Sequence, residues 1–424
     1  VLKTKIEKYH YIAFIGWIAK LFAILLSLLN TRMLLNLINI DGYALYSILA
    51  SFAGWIALLN FGLPNGVQNL IAKYRVKNKN LDNLYKSLFF LIVIILMLSV
   101  PLLYIVSFAI YHTILSSYQN LISTTMLFAV LYLLLLFGLS QIFYKILFAN
   151  YKGIYPNLYP LIISAINFLI LYLCQVFNMH NEALVIVLFF SSYFIIFIVS
   201  YLQSIGIVLP KFDRVLSIEL FKYSKDFFIF AILASFTLGI DYIIMSKILD
   251  SLYITQYNLI MKFYNLIIVL YATLLATSWS ISSEAYHKKE YFSIYELIKK
   301  NIIIGLLLTI IVSIIVFTFK DQLFFLVSGK ELHILYTTLL LATIYVIIRI
   351  WTDTFATILS SIQKVKILIC VVPYQAFISI LSQFYLGKKF GINGIFIGLI
   401  LSFLLTVSII LPLYLKRHLR EQYD

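Results

Sequence analysis

The chain has 424 residues, 63% of them hydrophobic and only 12% charged, with a net charge of +15. That balance excludes the soluble classes before any motif is read. What remains is a polytopic membrane protein in which the few charges stranded inside apolar runs carry the information.

A spanning helix needs about 20 mainly apolar residues. In chain order, the apolar runs predict twelve spans, near 11–38, 43–63, 86–110, 121–144, 157–177, 183–203, 226–249, 253–280, 301–319, 333–359, 367–386 and 392–415. Lys3, Lys5 and Lys8 precede a first run too long for a signal h-region and lacking a small-residue cleavage site, so no cleavable leader is expected. None of the connections could hold a folded domain. The longest runs from Gln203 to Lys225 and contains Pro210, Lys211, Asp213 and Arg214. It divides the chain into an N-terminal lobe (1–203, six helices), a cytoplasmic linker (204–225) and a C-terminal lobe (226–424, six helices). Six is even, so both halves begin on the same side, and any repeat relating them is parallel. A faint echo fits: aligning Asp41 with Asp250 places Arg32 of RMLLNLINIDGYALY opposite Asp241 of DYIIMSKILDSLYITQY. The expected fold class is therefore all-α, with about twelve transmembrane helices in two six-helix lobes around a central cavity.

With the N-terminus placed inside, most of the 32 basic residues fall in inner segments, and the outer segments keep only Lys247, Lys320, Lys330, Lys388 and Lys389. The positive-inside rule then puts both termini in the cytoplasm. The basicity reports topology, and no nucleic-acid partner is implied. Pro101 and Pro373 lie deep in spans, and the run GLPNG (Gly62 to Gly66) closes the second span, where helix breakers suit bending. Trp17, Tyr43, Trp279 and Tyr414 near span ends fit interfacial belts. Cys174 and Cys370 sit inside apolar runs and are expected to be buried there, with no disulfide or metal.

No Walker A run, GxGxxG turn, HExxH helix or metal-spaced Cys/His cluster occurs. The histidines (His10, His112, His180, His287, His333 and His418) are scattered over ends and loops and are expected to be solvated. The outer loops are short, the longest running from Lys320 to Leu332. Neither enzymatic activity nor a cofactor is expected.

A charge at bilayer depth is costly and persists where it faces a cavity or a partner. Six occur within the spans: Lys20, Arg32, Asp241, Lys262, Arg349 and Asp353. At about 1.5 Å of rise per residue, Asp241 lies about 12 Å from the outer end of its span, Lys262 about 14 Å and Arg32 about 9 Å. These three are expected in one layer, with Asp241 and Lys262 meeting across a helical hairpin. Lys20 and Arg32 are about 120° apart around their helix, so they share one axis only if it bends, for instance near Asn30 and Thr31. Arg349 and Asp353 share a face at i, i+4 and are expected to pair. The excess is cationic, which suits an anionic cargo, and phosphate contacts are the work of Arg and Lys. Arg32, Lys262, Lys20 and Arg349 are thus candidate substrate contacts, and Asp241 and Asp353 candidates for coupling or gating.

At this point the chain resembles the bacterial O-antigen flippases, Wzx-type members of the multidrug/oligosaccharidyl-lipid/polysaccharide exporter superfamily. The resemblance spans nearly the whole length. Its most specific parts are TRMLLNLINIDGYALYSI (Thr31 to Ile48), WIALLNFGLPNGVQN (Trp55 to Asn69) and DYIIMSKIL (Asp241 to Leu249). Relatives commonly carry an acid just before the FGL triplet, whereas this chain has Asn60. The resemblance implies translocation of an undecaprenyl-pyrophosphate-linked oligosaccharide across the bacterial inner membrane by alternating access. The lipid-linked oligosaccharide and the bilayer are then its partners, together with the O-antigen polymerase and the chain-length regulator. Two alternatives differ in class. A drug/cation antiporter of the same fold would favour an acidic cavity, and an O-antigen polymerase would show a large outer loop bearing arginines.

Overall fold

The computed structural model describes the backbone of residues 2–76, 79–150, 152–179, 181–287, 289–362 and 364–421. His180 and the side chains of Lys3, Lys5, Lys8, His10, Trp17, Trp279 and His287, on which some expectations rest, fall outside the described residues. No strand occurs among the described residues. In lipid every backbone polar group needs an internal partner, so uninterrupted apolar runs fold as helix.

The helices are α1 (Leu2–Ile56), α2 (Leu63–Val76), α3 (Asp82–Thr113), α4 (Thr124–Ala149), α5 (Ile154–Val176) and α6 (Glu182–Ser204). Then come α7 (Arg214–Leu238), α8 (Asp241–Ile248), α9 (Ser251–His287), α10 (Tyr291–Thr318) and α11 (Lys320–Ser328). The last are α12 (Tyr336–Ser361), α13 (Lys366–Phe390), α14 (Ile392–Leu404) and α15 (Val407–Glu421). Among the described residues, nine helical stretches are long and apolar enough to cross a membrane. One of them, Ile18–Asn60, is 43 residues long. That is enough for two crossings, and most of the first and second expected spans lies on it.

Asn39 breaks α1, with φ 55° and ψ −172°. Asparagine is among the few L-residues that enter the left-handed region readily. This break lies between the first two expected spans and beyond Arg32, so it is distinct from the bend expected near Asn30 and Thr31. GLPNG closes the second span as expected, and a further helix follows it. Phe61 (φ 52°) and Gly62 (φ 71°) turn the chain, and the Asn60 side-chain oxygen accepts from the Gly62 N–H at 2.9 Å. The chain then continues as α2, with Val67, Leu70, Ile71 and Tyr74 buried at helical spacing.

Two compact units divide the chain, Val1–Ser235 and Phe236–Asp424. In the first, α4 is the core helix: 61% of its most apolar stretch is buried, against 17% for α3. Close approach depends on small residues, since a Cβ on Gly138 would sit 3.0 Å from the Ala57 Cα. Serines inside these helices return their hydroxyls to carbonyls three or four residues back, as Ser140 does to Phe137 at 2.7 Å. Ser123 and Asn181 cap α4 and α6 by accepting from Met126 and Leu184 N–H groups.

The boundary between the units lies inside α7, whose first half is bound to α2 and α3. Lys73 donates to Glu219 at 2.8 Å and Tyr74 donates to the same carboxylate at 2.7 Å. A Cβ on Gly62 or Gly66 would collide with Ser224, so α7 touches the α2 backbone there. Phe61 and Phe228 rings pack at 5.3 Å.

In the second unit α9, α10, α12 and α14 form the core, and Gly391 (φ 59°) turns α13 into α14. Pro101 and Pro373 lie within helices as expected, and Pro160 and Pro412 do so too. Two expectations about burial change. Cys174 is buried but Cys370 is exposed on α13. Tyr43 is fully buried, its ring 5.5 Å from that of Tyr46, so it belongs to the core rather than to an interfacial belt.

Candidate functional site

The second unit carries four of the six expected charges. α7 ends at Leu238, and after a two-residue bend Asp241 opens α8. A carboxylate is favoured there because helix N-termini present unpaired N–H groups. One Asp241 oxygen accepts from the Tyr242 N–H at 3.1 Å, and the other accepts from the Tyr257 hydroxyl at 2.5 Å. Asn258 donates to the Tyr242 hydroxyl at 2.8 Å, and the Tyr242 and Tyr257 rings meet edge to face at 5.4 Å. The bonds to Asp241 come from Tyr242 and Tyr257, where the expectation paired it with Lys262. The reason lies in helix geometry. Tyr257 and Lys262 are five residues apart on α9, hence about 140° around it. With Tyr257 turned to Asp241, Lys262 leaves the helix on another side.

On α12, Tyr345, Arg349 and Asp353 stand four residues apart along one face. Arg349 donates to Asp353 at 3.2 and 3.3 Å and to the Tyr345 hydroxyl at 3.1 Å. Its guanidinium carbon lies 5.9 Å from the Tyr345 ring centre and 5.8 Å from that of Phe403 on α14. The expected Arg349–Asp353 pair is present, and aromatic faces hold the cation on two sides. Phe396 of α14 packs against both Tyr257 (5.1 Å) and Tyr345 (6.5 Å). Asp241, Tyr257, Tyr345, Arg349 and Asp353 thus form one polar group around Phe396. It contains two carboxylates, one guanidinium and two phenols, a set able to exchange hydrogen bonds with a cation or an anionic group.

The first unit carries Lys20 and Arg32, both half-buried on α1. Beside Arg32, Asn30 is buried and donates to the Ser164 carbonyl of α5 at 2.9 Å, while Thr31 donates back to Ser27 at 2.8 Å. One turn beyond Ser164, Asn167 is also buried. The side-chain oxygens of Asn30 and Asn167 are buried without a hydrogen-bond partner among the described residues.

No family model matches the chain. Over 416 residues it is 32% identical to a protein of Salmonella typhimurium that carries the name of an O-antigen transporter, covering 96% of each. The chain belongs to the O-antigen transporter family. Solved structures give the fold of this family member. A multidrug resistance transporter of the MATE family and MOP superfamily, in an inward-facing conformation, superposes with a TM-score of 0.73 at 12% identity, covering 94% of this chain and 95% of the other. The lipid II flippase MurJ, in an inward closed conformation, gives 0.69 at 15% identity, covering 95% and 87%. Curated relatives and structural neighbours are transporters or flippases.

Sequence reasoning about this transporter-family chain missed its tyrosines. Tyr257, Tyr264 and Tyr271 repeat every seven residues and are all buried on one face of α9. Their hydroxyls meet Asp241, Thr343 (2.7 Å) and Thr354 (2.6 Å), and Ser278 continues the seam by accepting from Asn301 at 2.7 Å. The heptad spacing was the available signal, because a drift of only about 20° per seven residues keeps them on one face.

Proposed function

We propose that this protein flips an undecaprenyl-pyrophosphate-linked O-antigen repeat unit, or a related polysaccharide unit, from the inner to the outer leaflet of the bacterial inner membrane. The full-length likeness to an O-antigen transporter, 32% identity over 96% of both chains, carries this reading. The excess of cations over acids within apolar helices supports an anionic headgroup as cargo. Arg32, Lys20, Lys262 and Arg349 are the groups offered to the pyrophosphate and sugars, and Asp241 and Asp353 are those whose partners change during alternating access. Twelve spans in two six-helix lobes, with both termini in the cytoplasm, are the topology this requires. The O-antigen polymerase and chain-length regulator would act on the product, and the chain itself performs no covalent chemistry.

The test is deletion of the gene in its host, followed by complementation and a gel of the lipopolysaccharide. Loss of the O-chain ladder, its recovery on complementation, and protected lipid-linked oligosaccharide accumulating in the inner leaflet are expected. A normal ladder in the deletion strain overturns the reading, and so does a defect in the efflux of organic cations alone.

A further inference from the structure

Between α10 and α12 the chain forms the short helix α11 and a loop, 329–335, that the transport reading places on the outer side. A cavity of about 530 Å³ lies against this connection, lined by Lys320, Asp321, Gln322, Phe325, Glu331 and His333 among others. Its volume falls in the range of about 300–1,000 Å³ usual for small-ligand sites.

The walls are fixed by bonds that leave several side chains unused. Gly329 (φ 69°) ends α11 in the left-handed region, its N–H bonded to the Phe325 carbonyl at 2.7 Å. The Ser328 hydroxyl accepts from the Lys330 N–H at 3.1 Å. Gln256 of α9 donates to the His333 carbonyl at 3.2 Å, and the Lys320 ammonium donates to the Ile334 carbonyl at 3.2 Å. That ammonium also lies 3.2 Å from Asp321 and 4.4 Å above the Tyr336 ring. Glu331 and Gln322, by contrast, are exposed and have no side-chain partner among the described residues, and Phe325 is 49% exposed.

The chemistry of this lining narrows the ligand. Lys320 is already engaged with Asp321 and the Ile334 carbonyl, and two carboxylates face one ammonium, which disfavours a phosphate. Among the described residues no three His, Cys, Asp or Glu side chains gather closely enough to hold a metal ion. A polyol fits. Carboxylate and amide groups accept from and donate to neighbouring hydroxyls, and the face of Phe325 suits the apolar C–H side of a sugar ring.

We propose that this cavity is a saccharide subsite that receives the leading sugars of the oligosaccharide on the outer face. The assignment of its natural ligand rests on the flippase reading, but sugar binding at this cavity can be measured without it. Purified full-length protein in detergent is titrated with free glucose, galactose, rhamnose and N-acetylglucosamine, with saturation-transfer NMR and calorimetry as readouts. At least one sugar should bind. Affinity should fall at least tenfold, about 1.4 kcal/mol, in Glu331→Gln combined with Gln322→Ala, and separately in Phe325→Ala, with melting temperature unchanged. Absence of binding by all four sugars overturns the proposal. Binding undiminished in the variants overturns it too, as does displacement of the sugar by equimolar inorganic phosphate or by lipid vesicles. If deletion of the gene abolishes the O-chain while sugar binding fails, this proposal falls and the flippase reading stands.

Discussion

Tyr257 of α9 donates its hydroxyl hydrogen to the carboxylate of Asp241 at the start of α8, so the acid is held by a neutral phenol rather than by a lysine. A neutral donor brings no positive charge to the carboxylate, so this bond is compatible with the change of partner proposed for Asp241.

Removing only that hydroxyl tests whether the bond matters. Hydrogen bonds to charged groups contribute about 1.5–3 kcal/mol. Tyr257→Phe should lower the melting temperature of the purified protein modestly and reduce O-chain assembly severalfold at equal protein level. Asp241→Asn should retain most of the stability, because an amide oxygen still accepts from Tyr257, yet lose transport. Wild-type transport by Asp241→Asn would remove the acid from the mechanism.

Arg349 offers a contrasting case. Its charge is met by Asp353 and the Tyr345 hydroxyl, with side-chain exposures of 14% for Arg349 and 33% for Asp353. Breaking a fully buried pair costs about 3–5 kcal/mol, and partial exposure lowers this to about 1–3 kcal/mol. Asp353→Ala should therefore destabilise the detergent-solubilised protein. The double variant Arg349→Met, Asp353→Leu should recover part of that loss while O-chain assembly stays defective. Recovery of both properties would make the pair structural only.

These two networks differ in how far they can be read from the sequence. Arg349 and Asp353 lie on one helix, and their four-residue spacing fixes their meeting without knowledge of any other element. Asp241 and Tyr257 meet only because the chain bends after Leu238 and α8 folds back beside α9, a tertiary event with no local pattern. Depth alone paired Asp241 with Lys262, since depth ignores direction around a helix. Position near a span end marked Tyr43 as interfacial, yet it is buried against Tyr46, and Tyr257, Tyr264 and Tyr271 are buried with their hydroxyls bonded inside the protein. The apolar runs located the helices, while the break at Asn39 and the amphipathic α2 depended on local φ values and one buried face.

Lys73 and Glu219 join α2 to α7 through side chains that are 35% and 24% exposed. The bond from Lys73 holds the Glu219 carboxyl below its ordinary value of 4.5, and the same bond raises Lys73 above 10.5. The unfolded chain thus binds the Glu219 proton more readily, so this contribution is whole above about pH 4.5 and is lost as pH falls through the lowered value. On the alkaline side it is whole below the ordinary lysine value and fades only as pH rises toward the raised one. Hydrogen exchange at residues 214–224 should be slow and flat from pH 5 to 9, after correction for intrinsic rates, and should quicken below about pH 4. In Glu219→Gln the protection should be lower throughout and lose its acid step; an unchanged step would assign it to another group.

Topology is tested independently of function. Reporter fusions after Gln203 and after Asp424 should both read as cytoplasmic, given the bias of basic residues to inner segments. A periplasmic reading at either position would break the scheme of two six-helix halves.

Arg32 and Lys262 are basic residues within the expected spans, and the proposed function offers both to the anionic headgroup. Neutralising them would remove attraction for an anionic headgroup but leave space for water to substitute, so reversal of charge is the sharper perturbation. Arg32→Glu and Lys262→Glu should each cut O-chain assembly at least tenfold, about 1.4 kcal/mol in effective binding, with protein still present in the membrane. Arg32→Lys separates charge from shape. A guanidinium grips phosphate through two parallel N–H bonds, whereas an ammonium acts as a point charge. An intermediate defect is therefore expected for Arg32→Lys if the pyrophosphate is the contact. A defect as deep as in Arg32→Glu would place Arg32 in packing or a fixed internal bond instead, and full activity of Arg32→Glu at normal abundance would rule out a role in cargo binding.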